Sequence, residues 1–198
     1  MTFGMAKLTS GQAIPTGFVF EQDDDRTEDE MNCYCLFCHT TKCESIALLL
    51  SKQMDCAAIS PKIIQRKWVK GKCFEQIHDY LPGYVFVYTD APLSTFRELW
   101  SVDGVLRVLG RREEGYRLSG EDERFANMLL ANQGVIGILK AYEAGDRIRL
   151  TGEALPGYTG EVINVDRRKG RAQVLIHFDD KEVKLWVGFE LIDKAPEQ

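Results

Sequence analysis

The sequence predicts two parts, an α+β domain with a mainly antiparallel sheet and a small all-β barrel that follows it. In the first part, short β-prone runs and segments of helical periodicity occur in the order β-α-β-β-β-α-β-α, which is typical of α+β domains. In the last quarter, 144–192, short segments of period two are separated by turn residues, which is typical of a small closed barrel. A chain of 198 residues is long enough for both parts to bury a core.

The formal charge of −5 is carried by the N-terminal extension and not by the two predicted domains. Residues 1–30 contain seven acidic and two basic residues, whereas residues 31–198 contain 23 of each. Acidic runs of this kind are usually solvated, so we expect 1–30 to be disordered. The extension lacks the basic-then-apolar pattern of a signal peptide, and no apolar stretch approaches the roughly 20 residues of a membrane span. We therefore expect a cytoplasmic protein with no membrane partner.

The first half of the α+β domain is predicted from a buried strand, a helix and a basic segment. Residues 33–38 form an apolar run that predicts the strand. Thr41 and Glu44 have the spacing of a capping box, in which both side chains bind backbone amides at a helix start. The apolar spacing that follows predicts an amphipathic helix over 42–53. The next segments are a strand over 57–65 and a basic strand or loop over 66–74.

The second half of this domain begins with the strongly β-prone run 81–88. Pro82 is expected at the first position of that strand, where a missing amide donor is tolerated. Ser119 is expected to cap the last helix. The elements after the strand are predicted as helix 90–100, strand 105–109, helix 119–131 with the apolar stripe Phe125, Met128 and Leu129, and a glycine-containing linker near 132–140. The chain is thus divided into an extension 1–30, a domain 31–132, a linker 133–142 and a barrel 143–198.

The barrel is predicted from strands on either side of two turns. Glycines mark the first turn at 156–160, and the second turn, 167–171, is a basic hairpin tip. The runs 172–178 and 183–187 are rich in β-branched residues, which favours strands and not helices.

The six cysteines do not predict a metal site. The run Cys35-Leu36-Phe37-Cys38-His39 matches the pattern of haem c attachment, but attachment would require export. On a strand, Cys35 and Cys38 face opposite sides, and the second ligand pair of a tetrahedral zinc site is missing. We expect buried, reduced thiols, no metal and no cofactor.

The sequence also lacks a recognisable catalytic motif. The three histidines, His39, His78 and His177, belong to no nucleophile motif, and neither a P-loop nor paired metal ligands occur. Because a small barrel carries no obvious catalytic apparatus either, we expect a binding protein and not an enzyme.

Two groups of residues carry a resemblance to a known family. The run Cys33-Tyr34-Cys35-Leu36-Phe37-Cys38-His39-Thr40 before a helix, and then Leu81-Pro82-Gly83-Tyr84-Val85-Phe86-Val87, resemble the N-terminal (NGN) domain of NusG. The segments Asp103-Gly104-Val105 and Leu118-Ser119 are similar to later parts of that domain. The last quarter resembles the KOW motif, an SH3-like barrel. Within the family, Asp166–Ala172 and Trp186–Glu190 look most like LoaP antiterminators. The resemblance implies an NGN-type sheet with helices, followed by a KOW barrel.

The resemblance implies a surface that binds the clamp helices of RNA polymerase. Its predicted residues are Phe37, Leu81, Pro82, Tyr84 and Phe86. Aromatic patches of this kind are enriched at interfaces. The alternative interpretation is that these aromatic side chains fill the core between the sheet and its helices.

A second predicted surface is basic. Between Asp55 and Glu75 the chain has five cations and no acid, with an aromatic residue among them that could stack on a base. The predicted nucleic-acid-binding residues are Lys62, Arg66, Lys67, Trp68, Lys70 and Lys72. The resemblance places this segment near upstream DNA and, in the LoaP subgroup, near a nascent-RNA hairpin. The alternative is a solvated hairpin face.

The third predicted surface is the barrel tip, with Arg167, Arg168, Lys169 and Arg171. The resemblance implies a second partner there, such as a ribosomal protein, a termination factor or RNA, and the alternative is a soluble loop. Together these features predict a monomeric elongation factor or processive antiterminator that acts at specific operons. The alternatives are a general NusG-type elongation factor and a free-standing RNA-binding protein of ribosomal type.

Overall fold

A computed structural model of the chain describes residues 31–54, 56–90, 92, 99, 101–112, 115–144, 147–150, 161–179 and 181–192. Its first part contains β1 (Asn32–Cys38), α1 (Cys43–Gln53), β2 (Ala57–Ile59), β3 (Lys62–Val69), β4 (Lys72–Asp79), β5 (Tyr84–Thr89), β6 (Val105–Val108) and α2 (Gly120–Ala131). Its second part contains β7 (Val135–Ile136), β8 (Leu139–Ala144), β9 (Arg147–Leu150), β10 (Glu161–Asp166), β11 (Arg171–Phe178) and β12 (Lys181–Leu191). None of the helices described is long and apolar enough to cross a bilayer.

The first sheet has the strand order β2-β5-β1-β6, and its pairs are antiparallel. Because side chains alternate along a strand, the two faces of β5 bury different clusters. Val85 and Val87 pack in the cluster that contains α1. Phe86 and Tyr88 pack in the cluster that contains Phe125 of α2. The alternation predicted for this strand is confirmed, and so is the buried apolar stripe of α2.

The second sheet has the order β4-β3-β7 and consists mainly of the long hairpin β3–β4. Its tight turn uses Lys70 and Gly71 at positive φ, 49° and 77°. Every residue of β4 is exposed, so this strand forms a free edge of the described sheet. The short strand β7 lies parallel to β3 on the other side.

The third sheet has the order β10-β11-β12-β8-β9. The hairpin β10–β11 turns through a 3₁₀ helix at Arg167–Lys169, which is the predicted basic tip. Inside the hairpin β11–β12, the inward residues Ala172, Val174, Ile176 and Phe178 are buried. The edge strands β9 and β10 approach each other, so the sheet curls. The glycine-marked turn 156–160 lies outside the described residues.

The first and third sheets share one hydrophobic core. Phe86 and Phe125 belong to the same buried cluster as Phe178 and Val187 of the third sheet. The segment expected to be a linker, 133–142, carries β7 and the start of β8, and its Ile136 and Leu139 are buried in that cluster. The predicted linker therefore contains apolar residues that pack in the shared core.

Several local predictions need correction. The capping box is wrong, since the chain already turns as a 3₁₀ helix at Thr40–Lys42 and the cap residue, Lys42, makes no side-chain cap bond. Ser119 does occupy the cap position of α2, but its side chain makes no capping hydrogen bond.

The predicted strand boundaries also shift. The predicted strand 57–65 is two strands in different sheets, β2 and β3, because Pro61 intervenes. The predicted strand 81–88 begins at Tyr84, after a turn that includes Pro82. The helix predicted over 90–100 lies almost wholly outside the described residues.

Candidate binding surfaces

The residues predicted to bind polymerase lie close together, but they are largely covered. Phe86 and Leu81 are buried, Phe37 and Tyr84 are half-buried, and Pro82 is exposed. The rings of Phe37 and Tyr84 meet edge to face, with their centroids 5.3 Å apart. The sequence-based patch is therefore one structural cluster, although much of it faces another part of the protein.

The group that covers this cluster is Phe178, at the end of the hairpin β11–β12. Its ring centroid lies 5.6 Å from Tyr84, 5.4 Å from Phe86 and 5.5 Å from Phe125. Aromatic pairs at such separations add about 0.5–1.5 kcal/mol each to the burial of their surface. We call this the aromatic contact, formed by Tyr84, Phe86, Phe125 and Phe178.

Charged residues form polar bonds at the edge of the aromatic contact. The guanidinium Nη2 of Arg107 lies 2.8 Å from Oδ2 of Asp179, and the Asp179 amide donates to the Asp122 carboxylate at 3.3 Å. Asp179 adopts φ of 53°, a strained value for a residue other than glycine. Arg107 also lies over the ring of Phe37, 5.7 Å from its centroid. The turn after Phe178 is thus fixed to β6 and α2 by polar bonds.

A second, polar contact joins β3 to β12. The side-chain amide of Gln65 donates to the Trp186 carbonyl at 3.3 Å, and Arg66 Nη2 lies 3.2 Å from Oε2 of Glu190. A Cβ atom on Gly188 would lie 3.3 Å from the Ile64 carbonyl oxygen and 2.6 Å from Cδ1 of Ile138. Glycine at this position therefore allows the two strands to approach closely.

Next to the polar contact lies an open cleft of about 820 Å³ between the hairpin β3–β4 and the basic tip. We call it the basic cleft. Its lining residues are Gln65, Arg66, Lys67, Gln76, His78, Arg168, Lys169 and Arg171. The structure therefore brings two of the three sequence-predicted surfaces together, since residues of the basic segment and of the barrel tip face one space.

Three lysines of the basic segment lie outside the cleft. Burial alone would lower the pKa of Lys62, but its hydrogen bond with Asp79, at 2.7 Å, and the nearby Glu44 raise it overall. Lys62 is therefore already paired. Lys70 and Lys72 are exposed at the hairpin end. The strand register places Trp68 opposite Cys73. At the tip, Arg167 turns away and pairs with Glu143 at 2.7 Å.

The cysteines form no metal site among the residues that the structure describes. Cys35 and Cys38 lie in different buried clusters, on opposite faces of β1, as the strand alternation predicts. Burial raises the pKa of the Cys33 and Cys38 thiols to about 12. Cys73 is exposed, so the prediction that all six thiols are buried is wrong for this one.

The structure thus combines an α+β domain and a curled β-sheet, with an aromatic cluster buried between them and a basic cleft that both of them line. The family model described as NusG, transcription termination factor nusG, matches residues 31–128, just under half of the chain. The α+β domain is therefore similar to that family.

One solved structure, from work on domain interaction in NusG of Thermotoga maritima, is similar with a TM-score of 0.46 and 13% identity. The similarity covers 82% of this chain and 96% of that chain. A comparison with curated protein sequences finds no match.

Sequence reasoning missed the residues that depend on how the two parts pack. In the sequence, Phe178 looks like any inward-facing residue of an alternating strand, and Asp179 looks like any turn residue. Gln65, Gln76 and His78 carry no signal, because uncharged polar residues on a hairpin are common in solvated strands. Only the long apolar alternation of 172–178 indicated a large buried face, without showing what it buries against.

Proposed function

We propose that the protein is a transcription elongation factor that binds RNA polymerase and lowers pausing or termination. The match of residues 31–128 to NusG carries this proposal. The polymerase-binding residues are Phe37, Leu81, Pro82, Tyr84 and Phe86, and the partner is the clamp region of the polymerase. The factor acts by binding, because a protein that binds one polymerase conformation more tightly shifts the population towards it.

The aromatic contact requires that polymerase and the third sheet compete for one surface. Polymerase can reach Tyr84 and Phe86 only after Phe178 has moved away, since Phe86 is fully buried beneath it. The measured affinity for polymerase is then reduced by the free energy needed to open this contact. A variant that weakens the contact should bind polymerase more tightly.

The finer proposal is a processive antiterminator that acts at specific operons. The clustered cations of the basic cleft support it, because they can bind a nucleic-acid element and so bring the factor to one transcript before polymerase opens the aromatic contact. In this proposal the third sheet is a KOW barrel of the LoaP type, the element is nascent RNA or upstream DNA, and a ribosomal protein or termination factor is a further barrel partner. The second candidate is a general NusG-type factor, which the same family match favours equally.

The test is retention of core RNA polymerase by the immobilised full-length chain. We expect wild type to retain polymerase and Phe178→Ala to retain more. His177→Ala is the matched control, since His177 is exposed on the same strand and is not part of the aromatic contact. Adding Phe37→Ala and Tyr84→Ala to Phe178→Ala should abolish the gain. If neither wild type nor Phe178→Ala retains polymerase, the proposal is wrong and the alternative, a free-standing RNA-binding protein, is favoured.

A second measurement separates the specialised factor from the general one. Purified polymerase transcribes a panel of terminator templates with and without the protein. A specialised antiterminator raises readthrough on a few templates that share an upstream element, whereas a general factor changes elongation on all of them. A uniform effect would therefore remove the operon-specific part of the proposal and leave the elongation factor intact.

A further inference from the structure

The basic cleft is built from both parts of the protein. Hairpin β3–β4 contributes Gln65, Arg66, Lys67, Gln76 and His78, and the tip after β10 contributes Arg168, Lys169 and Arg171. Five of these eight residues are cations and none is an acid. A concave surface with one sign of charge concentrates counterions of the opposite sign. The cleft therefore favours an anionic ligand that touches both parts at once.

Two of the cations are available without breaking an ion pair. Lys67 and Arg168 are exposed, and neither forms an ion pair with another described residue. One of them comes from each side of the cleft. Their charges are uncompensated at short range, so a phosphate that approaches them displaces only water and counterions.

The other three cations are held in place by flanking acids. Arg66 lies 3.6 Å from Glu75 and 3.2 Å from Glu190, and Lys169 and Arg171 lie 3.7 Å and 3.4 Å from Asp166. Exposed pairs of this kind contribute only about 0–1 kcal/mol, so a phosphate can replace the acid as a partner.

Arg171 is already positioned for such a contact. Its guanidinium stacks on Trp186 at 4.4 Å from the ring centroid. Its Nε is buried and lies 3.4 Å from Oδ2 of Asp166, without forming a hydrogen bond to a described group. Stacking on an aromatic ring fixes the plane of the guanidinium fork, which reduces the entropy lost when a phosphate binds.

Neutral donors complete the lining. Gln65 lies opposite Gln76 in the hairpin register, and Ile63 lies opposite His78, so both amides and the imidazole occupy one face of the hairpin. Side chains of these types donate to phosphate and sugar oxygens in nucleic-acid complexes. An extended ligand with repeated phosphates suits a long, open cleft better than a single small anion does.

We infer that the basic cleft binds the phosphodiester backbone of a nucleic acid, and that binding requires the third sheet to be docked on the α+β domain. This inference rests on the nucleic-acid part of the proposed function and names its site. Because polymerase needs the aromatic contact open and this ligand needs the cleft assembled, each partner should weaken the other's binding to the same molecule. Phe178→Ala should then act in opposite directions on the two partners.

The test is fluorescence anisotropy with the full-length chain and a labelled RNA hairpin that has single-stranded flanks. Lys67→Glu and Arg168→Glu should each weaken binding by about tenfold and lower the slope of log affinity against log salt by about 0.7–0.9. Lys184→Glu is the control of equal charge change, on an exposed residue of β12 outside the cleft. Phe178→Ala should weaken binding at least about threefold with no charge change, because it separates the two halves.

Each outcome decides the inference. If DNA of the same sequence binds equally well, the cleft recognises the phosphodiester backbone, and the inference is supported. Equal binding of an acidic peptide overturns it, as does a loss from Lys67→Glu alone, which would place the site on the hairpin only. An unchanged affinity in Phe178→Ala overturns the assembled cleft. No polymerase is present, so these results are independent of the polymerase test, and circular dichroism and melting of each variant confirm that it is folded.

Discussion

The two contacts between the α+β domain and the third sheet differ in kind. The aromatic contact is buried and formed by rings, whereas the contact between β3 and β12 consists of a hydrogen bond from a side-chain amide, an exposed ion pair and the close approach at Gly188. Buried aromatic surface supplies much more free energy than exposed ion pairs. The aromatic contact is therefore expected to contribute most to holding the two parts together, whereas the polar contact lies beside the basic cleft.

The largest effect is expected from breaking the aromatic contact. Phe178→Ala should lower the free energy of unfolding by about 3 kcal/mol, since truncation of a buried phenylalanine removes its contacts and leaves a cavity. Because the shared core then becomes discontinuous, denaturation should also lose cooperativity. Urea unfolding followed by both tryptophan fluorescence and far-ultraviolet circular dichroism measures this effect.

The matched control is again His177→Ala, which should change stability by less than about 0.5 kcal/mol. Coincident transitions in Phe178→Ala, with stability close to wild type, would contradict a shared core. In that case the aromatic contact would be too weak to compete with polymerase, and the opening step would be unnecessary.

Much of the α+β domain could be predicted because its signals are local. The alternation along β5 and the stripe of α2 depend on neighbouring residues of one element, and the structure confirms both. The end of a strand is harder to predict. The whole run 81–88 looks β-prone in sequence, but β5 begins only at Tyr84 because Leu81 and the residues after it form a turn. The capping box failed for a similar reason, as an extra 3₁₀ turn moved the cap from Thr41 to Lys42.

The candidate site was predicted as separate pieces. The sequence identified the cations of the basic segment and of the tip by their density, but it did not show that Lys67 and Arg168 line one cleft. That result depends on a contact between residues more than a hundred positions apart, such as Gln65 with Trp186. The packing of one sheet against another leaves no periodic pattern in the sequence of either strand. The sequence therefore predicted the aromatic patch without Phe178, whose ring covers it.

Raising the pH should lower the free energy of unfolding by a smaller amount, through thiols in the core beneath the aromatic contact. Cys33 and Cys35 belong to the same buried cluster as Phe178. Burial raises the pKa of Cys33 to about 12 and raises the pKa of Cys35 well above its usual range, the latter with further contributions from Cys38, Asp179 and Asp122. These thiols stay neutral in the folded protein at pH values where they ionise in the unfolded chain.

The stabilising contribution of the neutral Cys33 thiol is therefore complete below about pH 9 and is lost as the pH rises from there towards about 12, and the contribution of Cys35 is lost in the same direction. At pH 10 the loss from Cys33 should be on the order of 1 kcal/mol. Urea unfolding at pH 8, 9 and 10 under reducing conditions measures it. Cys33→Ala should show a shallower decline than wild type, whereas Cys73→Ser, at the exposed thiol, should decline as wild type does. Equal declines in all three proteins would mean that Cys33 is accessible to solvent.

The smallest effect on stability is expected at the polar contact. Stability and RNA affinity should change there in opposite directions, which distinguishes the polar contact from the aromatic contact. Glu190→Gln removes the carboxylate 3.2 Å from Arg66. Since the pair is exposed, stability should fall by less than about 0.5 kcal/mol. The same change removes one of the two acids that pair with Arg66 and a negative charge beside the basic cleft, so affinity for the RNA hairpin should rise by about twofold to threefold, with a steeper salt dependence. Glu182→Gln, an exposed acid at the far end of β12, is the matched control and should leave affinity unchanged. Weaker RNA binding by Glu190→Gln would show that the Arg66–Glu190 pair holds the two halves of the cleft together, and that the polar contact stabilises docking after all.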